Sequence, residues 1–446
     1  MNPDEVSNSL ESIISGFSTR YRDINSIFLK HFALIEHLLK AEELQAITEE
    51  KRLLLGSYFT MEYSIEAAAL FNPSIVEDPD QSGTSEGEMR VIISFRATGE
   101  SHISSVIFKR GKLLPNGLIC LEPDGKFMSS GVVTQKNKDN KLVFKQHLSH
   151  LKLPTPIRKS ILEQLHEPFS YQELEMVLKN ALLPIKSAIK RKNIKYDILT
   201  MVNTNYELRF DPSSVISERV IFPVTFTEKN GIEDARFVKF TDDDGEVTYI
   251  ATYTAYDGAF ILPHLISTKD FLQFKMSPLH GKCARNKNLA LFPRKINGQF
   301  VMLSRIDGCN NYIMFSDDMH VWDTAQKLQE PSFPWEFVQV GNGGSPLETD
   351  AGWLVITHGV GPMRRYCLGA SLFDINDPTI ELGRLKQPLL VPNEDERDGY
   401  VPNVVYTCGS IIHQDRLFIP YAVSDYASSF LTVPLQELLA EILNKD

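Results

Sequence analysis

Apolar residues recur at helical spacing over the first sixty positions. Their side chains fall at i, i+3, i+4 and i+7, and the pattern continues downstream, through Leu10, Ile13, Ile14, Phe17, Ile24, Ile27, Phe28, Ile35, Leu38 and Leu39. This spacing puts the apolar side chains on one face of a helix. Residues 41–55 are strong helix formers, and Gly56 follows them as a stop signal. We predict an N-terminal helical extension over residues 1–57.

A second helical block is predicted near residues 155–190. Thr155 followed by Pro156 is typical of a helix start, because proline suits the first helical position. The segment 170–173, Ser-Tyr-Gln-Glu, is a capping box and precedes further apolar residues at helical spacing. We predict that this block is a helical hairpin inserted at about 145–195.

The remaining sequence consists of short strand-like runs separated by turn residues. In five of these runs, about four strand-forming residues precede a polar or aromatic residue and then a Gly or Asp. They are MRVIISFRATG (89–99), TYIATYTAYDG (248–258), QFVMLSRIDG (299–308), GWLVITHGVG (352–361) and RLFIPYAVSD (416–425). The last four recur after 51, 53 and 64 residues, counted between Thr254, Arg305, His358 and Ala422. The first gap is longer because the helical block interrupts it.

A repeat of roughly 40–50 residues built of short strands is typical of a β-propeller, with one four-stranded blade per repeat. We therefore predict an all-β core, a five-bladed β-propeller over residues 58–446, with the N-terminal helices and the helical hairpin added to it. The alternative is a β-sandwich whose strands resemble one another by coincidence. In a propeller, equivalent strand ends converge on the central channel. The residues predicted around that channel are Arg96, Thr254, Arg305, His358 and the segment 421–425.

Composition excludes several classes of function. The chain has 446 residues, with 46 Lys and Arg against 57 Asp and Glu, so its net charge is −11 and a general nucleic-acid binder is not expected. Its apolar runs are too short to cross a bilayer, and the first residues, MNPDEVSNSLES, lack the pattern of a secretory signal. The five cysteines include no CxxC pair, which argues against a disulfide framework and a zinc site. We expect a cytoplasmic protein with reduced thiols and no metal.

The densest polar signal is GIEDAR (231–236), in which two carboxylates and an arginine precede a strand-like run. On a strand, Glu233 and Asp234 would point to opposite faces, so only one of them is expected to face the pocket. A carboxyl group in a partly dry pocket has a raised pKa and can act as a general acid. The alternative is a loop with a local ion pair.

Cationic and polar residues are predicted around that carboxyl group. They precede a strand, end a repeat strand or follow a glycine-rich turn, and they are Lys287, Asn288, Arg305, His358, Arg364 and Arg365. Cations around a pocket point to an anionic substrate such as phosphate. Aromatic residues nearby either stack on sugar faces or belong to the core, and these are Tyr253, Tyr256, Trp353, Tyr366, Tyr400 and Tyr421.

Several short segments together carry a resemblance to a known family. They are NPS (72–74), GIEDAR (231–236), TYTAYDG (252–258), KNLALFP (287–293), the strand ending at Arg305, GWLVITHG (352–359), GASLFD (369–374) with Asp377-Pro378, ERDGYVPNVVYTCG (396–409) and PYAVSD (420–425). With these segments the chain resembles glycoside hydrolase family 130, the mannoside phosphorylases and related β-mannosidases, over roughly 60–70 and 200–446. The family's fold is a five-bladed β-propeller, which agrees with the repeat.

The resemblance implies a role for each matching residue. Asp234 matches the catalytic acid that protonates the glycosidic oxygen, in some members through a sugar hydroxyl. Lys287 stands where many members have an arginine on phosphate, and Asn288 matches the asparagine beside it. The other phosphate-side candidates are Arg305, His358 and, from the glycine-rich turn, Arg364. The substrate-binding candidates are Asn72, Arg96, Arg236, Tyr256, Asp257 and Asp425, the last of which matches an aspartate that holds the sugar.

One segment departs from the family. Its phosphorylases tend to have a PIKT-like segment whose lysine contacts phosphate, whereas this chain has Pro-Leu-Glu-Thr at 346–349. Glu348 puts an anion in place of a cation, and this would weaken phosphate binding. The alternative role for Glu348 is that of a base that activates water.

We predict inverting phosphorolysis of β-mannosides, in which a β-manno-oligosaccharide and phosphate give α-mannose 1-phosphate. Phosphate is itself a nucleophile, so an acid and a set of cations suffice, whereas an inverting hydrolase needs a base about 6.5–9.5 Å from the acid. The alternatives are an inverting exo-β-mannosidase with Glu348 as base, and a non-catalytic propeller that binds glycans. We expect inorganic phosphate as co-substrate and no cofactor. The helical segments are candidates for a homo-oligomer contact.

Overall fold

The computed structural model describes residues 1–444 except 61–68, 100–102, 137–140, 142–143, 146–147, 149–150, 152, 203–204 and 259–260. Its N-terminal helices are α1 (Pro3–Phe17), α2 (Ile24–Ile35), α3 (Ala41–Ala46) and α4 (Glu49–Tyr58). Asn2, Asp23 and Thr48 cap three of these helices, because their side-chain oxygens accept backbone N–H groups of the first turn. The helices share a small apolar core of Leu10, Tyr21, Ile24, Phe28 and Leu53.

The described strands form four hydrogen-bonded sheets, of twelve, four, five and four strands, and the twelve-stranded sheet contains two antiparallel units. The five units that result are numbered here in chain order. Unit 1 consists of β1 (Ala69–Glu77), β2 (Met89–Thr98), β3 (Ser104–Leu113) and β4 (Ile119–Leu121). Units 1 and 2 are extended by β5 (Ser129–Ser130), β6 (Val132–Lys136), β7 (Tyr206–Arg209) and β8 (Arg219–Ile221). Unit 2 consists of β9 (Gly231–Thr241), β10 (Val247–Tyr256), β11 (Ile261–Thr268) and β12 (Gln273–Pro278).

The other three units follow without interruption by helices. Unit 3 consists of β13 (Ala290–Leu291), β14 (Phe300–Ser304), β15 (Asn311–Ser316) and β16 (Gln326–Gln329). Unit 4 consists of β17 (Gln339–Asn342), β18 (Leu347–Thr349), β19 (Gly352–Val360), β20 (Tyr366–Phe373) and β21 (Glu381–Arg384). Unit 5 consists of β22 (Val405–Tyr406), β23 (Ile411–His413), β24 (Arg416–Val423) and β25 (Ala427–Pro434).

Each unit buries both of its faces against neighbouring units. In β19, Trp353 and Val355 pack into a core shared with unit 3, whereas Leu354 and Ile356 pack into a core shared with unit 5. Alternate side chains of a strand point to opposite faces, so a strand buried on both faces has an unbroken apolar run. This explains why the repeat segments contain runs such as WLVI. The helix α8 (Leu435–Leu443) packs on the core that units 4 and 5 share.

Hydrogen bonds connect each unit to the next one in the chain. Those between consecutive units are Phe237 N to Ser74 Oγ at 3.0 Å, Thr241 N to Pro293 O at 2.9 Å, Val340 N to Cys309 O at 2.9 Å and Tyr366 N to Asn403 O at 3.0 Å. Unit 5 also contacts unit 1, because Cys408 N donates to Pro73 O at 2.8 Å. Consecutive units in the chain are therefore in contact, and the last unit contacts the first.

The inserted helical block contains three described helices rather than a hairpin of two. They are α5 (Thr155–Gln164), α6 (Tyr171–Ala181) and α7 (Ala188–Met201), so the block extends past residue 195. Their apolar faces pack mainly on one another, around Ile161, Phe169, Leu174 and Ile198. In the part of the chain described, no helix is long and apolar enough to cross a membrane. The oligomer contact stays a prediction.

Candidate active site

Each unit carries an asparagine or aspartate at or just before its first strand. These residues are Asn72, Asp234, Asn288, Asn342 and Asn403. Asn72, Asp234, Asn288 and Asn403 have left-handed backbones, with φ of 50°, 55°, 70° and 63°. After glycine, Asn and Asp tolerate this conformation best, and strained backbone of this kind concentrates at functional sites. Two pairs are in contact, with Asn72 Nδ2 at 2.7 Å from Asp234 Oδ1 and Asn288 Nδ2 at 3.0 Å from Asn342 O.

Asp234 lies at a bulge in β9. Between the paired residues Glu233 and Arg236, β9 has one residue more than β10, and this local irregularity re-aims side chains. Both carboxylates consequently lie against Arg96. Its Nη2 is 2.7 Å from Glu233 Oε1 and its Nη1 is 3.7 Å from Asp234 Oδ1. Both carboxylates thus contact the same arginine, and the expectation that only one of them faces the pocket stays a prediction.

The buried carboxyl group of Asp234 is ionised. Burial by itself would raise its pKa, but the charges of Arg96, Lys287 and Arg236 outweigh burial, and the pKa lies below its ordinary value. The expectation of a raised pKa at this position is therefore wrong. An anion that bound to the same cations would offset their charge and raise the pKa of Asp234 again.

Lys287 contacts the other oxygen of Glu233. Its Nζ is 2.6 Å from Glu233 Oε2, so each oxygen of that carboxylate binds one cation. The lysine is flanked by Asn286 and Asn288, which have left-handed φ values of 68° and 70°. Burial would lower the pKa of Lys287, but the charges of Asp234 and Glu233 outweigh burial and raise it. Lys287 is therefore positively charged at neutral pH.

Arg305 and His358 form a second polar group beside the first. Arg305 Nη1 is 3.3 Å from His358 Nε2, and Gln339 Nε2 is 3.0 Å from the same nitrogen. His358 Nδ1 is 3.2 Å from Asn342 O, so the ring donates there and accepts at Nε2. Burial, followed by the charges of Arg305 and Arg236, holds the pKa of His358 well below its ordinary value. The positive charge of this group therefore comes from Arg305.

Asp425 supplies a further carboxyl group to the cluster. It lies in the turn between β24 and β25, where Ser424 and Asp425 both have left-handed backbones, with φ of 49° and 53°. Ser424 Oγ donates to Glu396 O at 2.6 Å and fixes this turn. Burial, followed by the negative charge of Asp234, raises the pKa of Asp425 to about 6. The structure thus places Asp234 and Asp425 close enough to influence each other's protonation.

Arg236 is buried and donates hydrogen bonds to two protein groups. Its side chain is 2% exposed, its Nη1 donates to Gly343 O, and its Nη2 donates to Tyr406 Oη at 2.8 Å. Tyr406 Oη also accepts from Asn288 Nδ2 at 2.8 Å. Arg236 therefore connects the first strands of units 2, 4 and 5, a role different from the predicted substrate contact.

The remaining predicted residues lie at the edge of this cluster. Tyr256 is half-buried at the end of β10, where its hydroxyl group donates to Gly258 O at 3.1 Å, and Asp257 follows it. Arg364 is exposed in the turn 362–364 after β19. The structure places these three residues outside the group of buried charges.

Glu348 lies away from the cluster. Its oxygens are 2.8 and 2.9 Å from the guanidinium nitrogens of Arg294, which itself stacks over Trp353 at 4.9 Å. Glu348 pairs with Trp353 in the sheet, and His358 lies five positions farther along β19 than Trp353, about 16 Å of strand. Hydrogen bonding from Arg294 lowers the pKa of Glu348. The structure therefore does not bring Glu348 to Asp234.

Replacing Glu348 by glutamine is expected to leave kcat within about twofold and to lower stability by about 0.5 kcal/mol, as is usual for an exposed ion pair. The reason is that its carboxylate binds Arg294 at the far end of the sheet. The measurement is sugar release with and without phosphate. A tenfold loss of phosphate-independent release would identify Glu348 as a base.

Four residues of the cluster were not predicted as site residues, namely Glu233, Gln339, Asn342 and Tyr406. All four lie on the first strands of their units. Asn342 is itself one of the recurring Asn or Asp positions, and Glu233 is next to another. That recurrence is visible in the sequence as NPSI, DARF, NLAL, NGGS and NVVY. Comparing the first strands, rather than the second ones, would have found Asn342 and drawn attention to its neighbours.

Comparison with known proteins identifies the family. The model of glycoside hydrolase family 130, described as beta-1,4-mannooligosaccharide phosphorylase, matches residues 194–444, which is more than half of the chain. The chain belongs to glycoside hydrolase family 130. The family 130 match includes Asp234, Lys287, Arg305 and His358, whereas Asn72 and Arg96, which complete the cluster, lie on unit 1 outside it.

The chain is also similar to proteins named as mannoside phosphorylases. A 1,2-beta-oligomannan phosphorylase from Thermoanaerobacter sp. (strain X514) is 35% identical over 45% of this chain and 67% of its own length. A beta-1,2-mannobiose phosphorylase from Listeria innocua serovar 6a is 32% identical over 50% of this chain and 63% of its own length. The alignments thus span about two thirds of these relatives.

A solved structure supports the fold of this family 130 chain. The beta-1,2-mannobiose phosphorylase from Listeria innocua, in complex with beta-1,2-mannobiose, has a TM-score of 0.50 with 21% sequence identity. The superposition covers 86% of this chain and 95% of that chain. At this level of identity the comparison shows a shared fold.

Proposed function

We propose that this family 130 chain is a mannoside phosphorylase that carries out inverting phosphorolysis of β-mannosides. The observation that carries the proposal is the buried carboxyl group of Asp234 beside Arg96 and Lys287. It combines one acid with cations that suit an anionic co-substrate. The phosphorylase relatives support the same activity. The products are α-mannose 1-phosphate and an oligosaccharide shorter by one sugar.

In the proposed reaction, an oxygen of inorganic phosphate bonds to C1 of the mannosyl unit while the bond from C1 to the acceptor oxygen breaks. The acceptor oxygen takes the proton of Asp234, directly or through a sugar hydroxyl group. Because phosphate attacks the face opposite the leaving group, the β-linkage gives an α-phosphate. Phosphate is the co-substrate, and the reaction needs no cofactor.

The proposed roles follow the charges of the side chains. Lys287 and Arg305 bring positive charge to phosphate, and neutral His358 orients the guanidinium group of Arg305. Asn72 and Asp425 are proposed to contact the sugar. Further proposed substrate contacts are Asn288, Tyr256 and Asp257, with Arg364 at the exposed edge.

Hydrolysis is the second candidate, and the structure disfavours it. An inverting hydrolase needs a carboxylate base about 6.5–9.5 Å from the acid, with a water molecule between them. Glu348 is bound to Arg294 at the other end of its unit. Glu233 is close to Asp234, but both of its oxygens bind cations.

Incubation of the purified chain with β-1,2- and β-1,4-mannobiose tests the proposal. Phosphorolysis predicts that mannose 1-phosphate forms with phosphate, and that sugar release falls at least about tenfold without it, since the nucleophile is missing. Equal release of free mannose under both conditions, with no sugar phosphate, would favour the hydrolase. No turnover of either substrate would favour a glycan-binding protein.

We also propose that the five units are the blades of a β-propeller. The support is the order of contacts, in which each unit packs on the next and unit 5 contacts unit 1. In this arrangement the five first strands line one channel, and the recurring Asn and Asp residues surround its mouth. Asp234 and the cations then come from different blades and meet at that mouth.

A further inference from the structure

Two cations from different units converge on Glu233. Arg96, on β2 of unit 1, binds one carboxylate oxygen at 2.7 Å, and Lys287, just before unit 3, binds the other at 2.6 Å. The carboxylate itself belongs to β9 of unit 2. A single anion therefore determines how far apart the two cations lie.

Burial shows which of the three groups is the anchor. The side chain of Glu233 is 8% exposed, whereas those of Arg96 and Lys287 are 19% and 33% exposed. The guanidinium group of Arg96 is further held over the ring of Phe71, whose centre is 5.0 Å from the guanidinium carbon. The carboxylate thus lies beneath the cations and leaves the accessible part of each one toward solvent.

Both cations keep donors that Glu233 does not use. An ammonium group has three N–H bonds and a guanidinium group has five, and one from each is directed at Glu233. Arg96 Nη1 also lies 3.7 Å from Asp234 Oδ1. Two cations held by one carboxylate, with donors to spare, suit an oxyanion such as phosphate. Among the described residues, the side-chain hydrogen bonds found for Glu233 are those with Arg96 and Lys287.

We propose that Glu233 is a positioning residue for phosphate, which fixes Arg96 and Lys287 as a pair so that their free donors bind the co-substrate together. This inference rests on the proposed phosphorylase function. In this role Glu233 acts through Arg96 and Lys287 and touches neither the sugar nor the phosphate.

The same carboxylate has a second, electrostatic consequence. Its negative charge partly offsets the cations that stabilise ionised Asp234. Removing that charge lowers the pKa of Asp234 further, and the acid then loses its proton at lower pH. If Glu233 had a purely structural role, its replacement would leave the pKa of Asp234 unchanged.

The first test is phosphate binding to the full-length protein, measured by calorimetry with inorganic phosphate alone. Glu233→Gln is expected to weaken binding at least about fivefold, because an amide oxygen can accept from one cation while the amide NH₂ opposes the other. Glu233→Asp keeps the negative charge, and its phosphate affinity is expected to lie between those of the wild type and Glu233→Gln. The matched control is Glu77→Gln. It removes a carboxylate at the end of β1 that binds Lys239 of β9 at 2.7 Å.

The second test is the pH profile of kcat. In Glu233→Gln, the pH above which kcat falls is expected to be lower than in the wild type. Glu233→Asp is expected to return this pH toward the wild-type value. Unchanged or tighter phosphate binding in Glu233→Gln, or no phosphate binding by the wild type, would overturn the inference. Because calorimetry needs no turnover, wild-type protein that binds phosphate but cleaves no mannoside contradicts the proposed function and leaves the positioning role measurable.

Discussion

Replacing Asp234 by asparagine is expected to lower kcat for phosphorolysis by about 10²–10⁴, the range in which general acids contribute. The amide has the size of the carboxyl group, and its oxygen can still accept from Asn72 Nδ2, now 2.7 Å from Asp234 Oδ1. The variant is therefore expected to fold and to bind phosphate, but it has no proton to give to the leaving sugar. The measurement is the rate of mannose 1-phosphate formation from β-mannobiose.

A matched control and a second substrate make this test specific. Asp242→Asn removes a carboxylate that binds Lys295 at 2.7 Å just after β9, and it is expected to leave kcat unchanged. A β-mannoside with an acidic phenol as leaving group needs little protonation, so the loss in Asp234→Asn should be smaller with it. An equal loss with both substrates, or a loss below tenfold, would contradict the role of Asp234 as the acid.

The low pKa of Asp234 indicates that phosphate binding comes before protonation of the acid. The acid must be protonated, so activity falls as pH rises through its pKa, and the surrounding cations hold that pKa low. A bound phosphate dianion offsets their charge and raises the pKa. Asp425, whose pKa is about 6, is a neighbouring carboxyl group that shares this field. We expect the proton to be held at Asp234 chiefly when phosphate is bound.

The strand repeat was visible in the sequence because each central strand is buried on both faces. Such a strand needs an unbroken apolar run, and the polar residue after it marks where the strand leaves the core. The helices were visible for a related reason, since each has one apolar face. The third inserted helix, α7, was missed because lysine and arginine dominate residues 186–195 and its apolar pattern is weak.

The charges of the site were predictable in type but not in arrangement. The motif GIEDAR indicates an acid beside an arginine, yet alternation along a regular strand does not account for the contact of both Glu233 and Asp234 with Arg96. A bulge depends on pairing with a neighbouring strand, which the local sequence does not record. Glu348 illustrates the same limit, because its partner Arg294 lies 54 residues away in the chain.

Replacing Arg236 by methionine is expected to destabilise the protein by about 3 kcal/mol. Hydrogen bonds from a charged donor contribute about 1.5–3 kcal/mol each, and Arg236 donates to Gly343 O and to Tyr406 Oη. Part of this loss is offset because methionine needs no hydration, whereas a buried guanidinium group gives up its water. The measurement is urea unfolding followed by the fluorescence of Trp322, Trp335 and Trp353, which lie in or between units 3 and 4.

Arg236→Lys separates the charge of this residue from its geometry. Lysine keeps the positive charge, but a single ammonium group cannot bridge two acceptors on different units as the planar guanidinium group does. We expect the lysine variant to recover less than half of the lost stability. Full recovery would show that charge beside Asp234, rather than the link between units 2, 4 and 5, is what Arg236 contributes. A methionine variant as stable as the wild type would contradict both roles, because the freed Gly343 O and Tyr406 Oη would then have no measurable need of a donor.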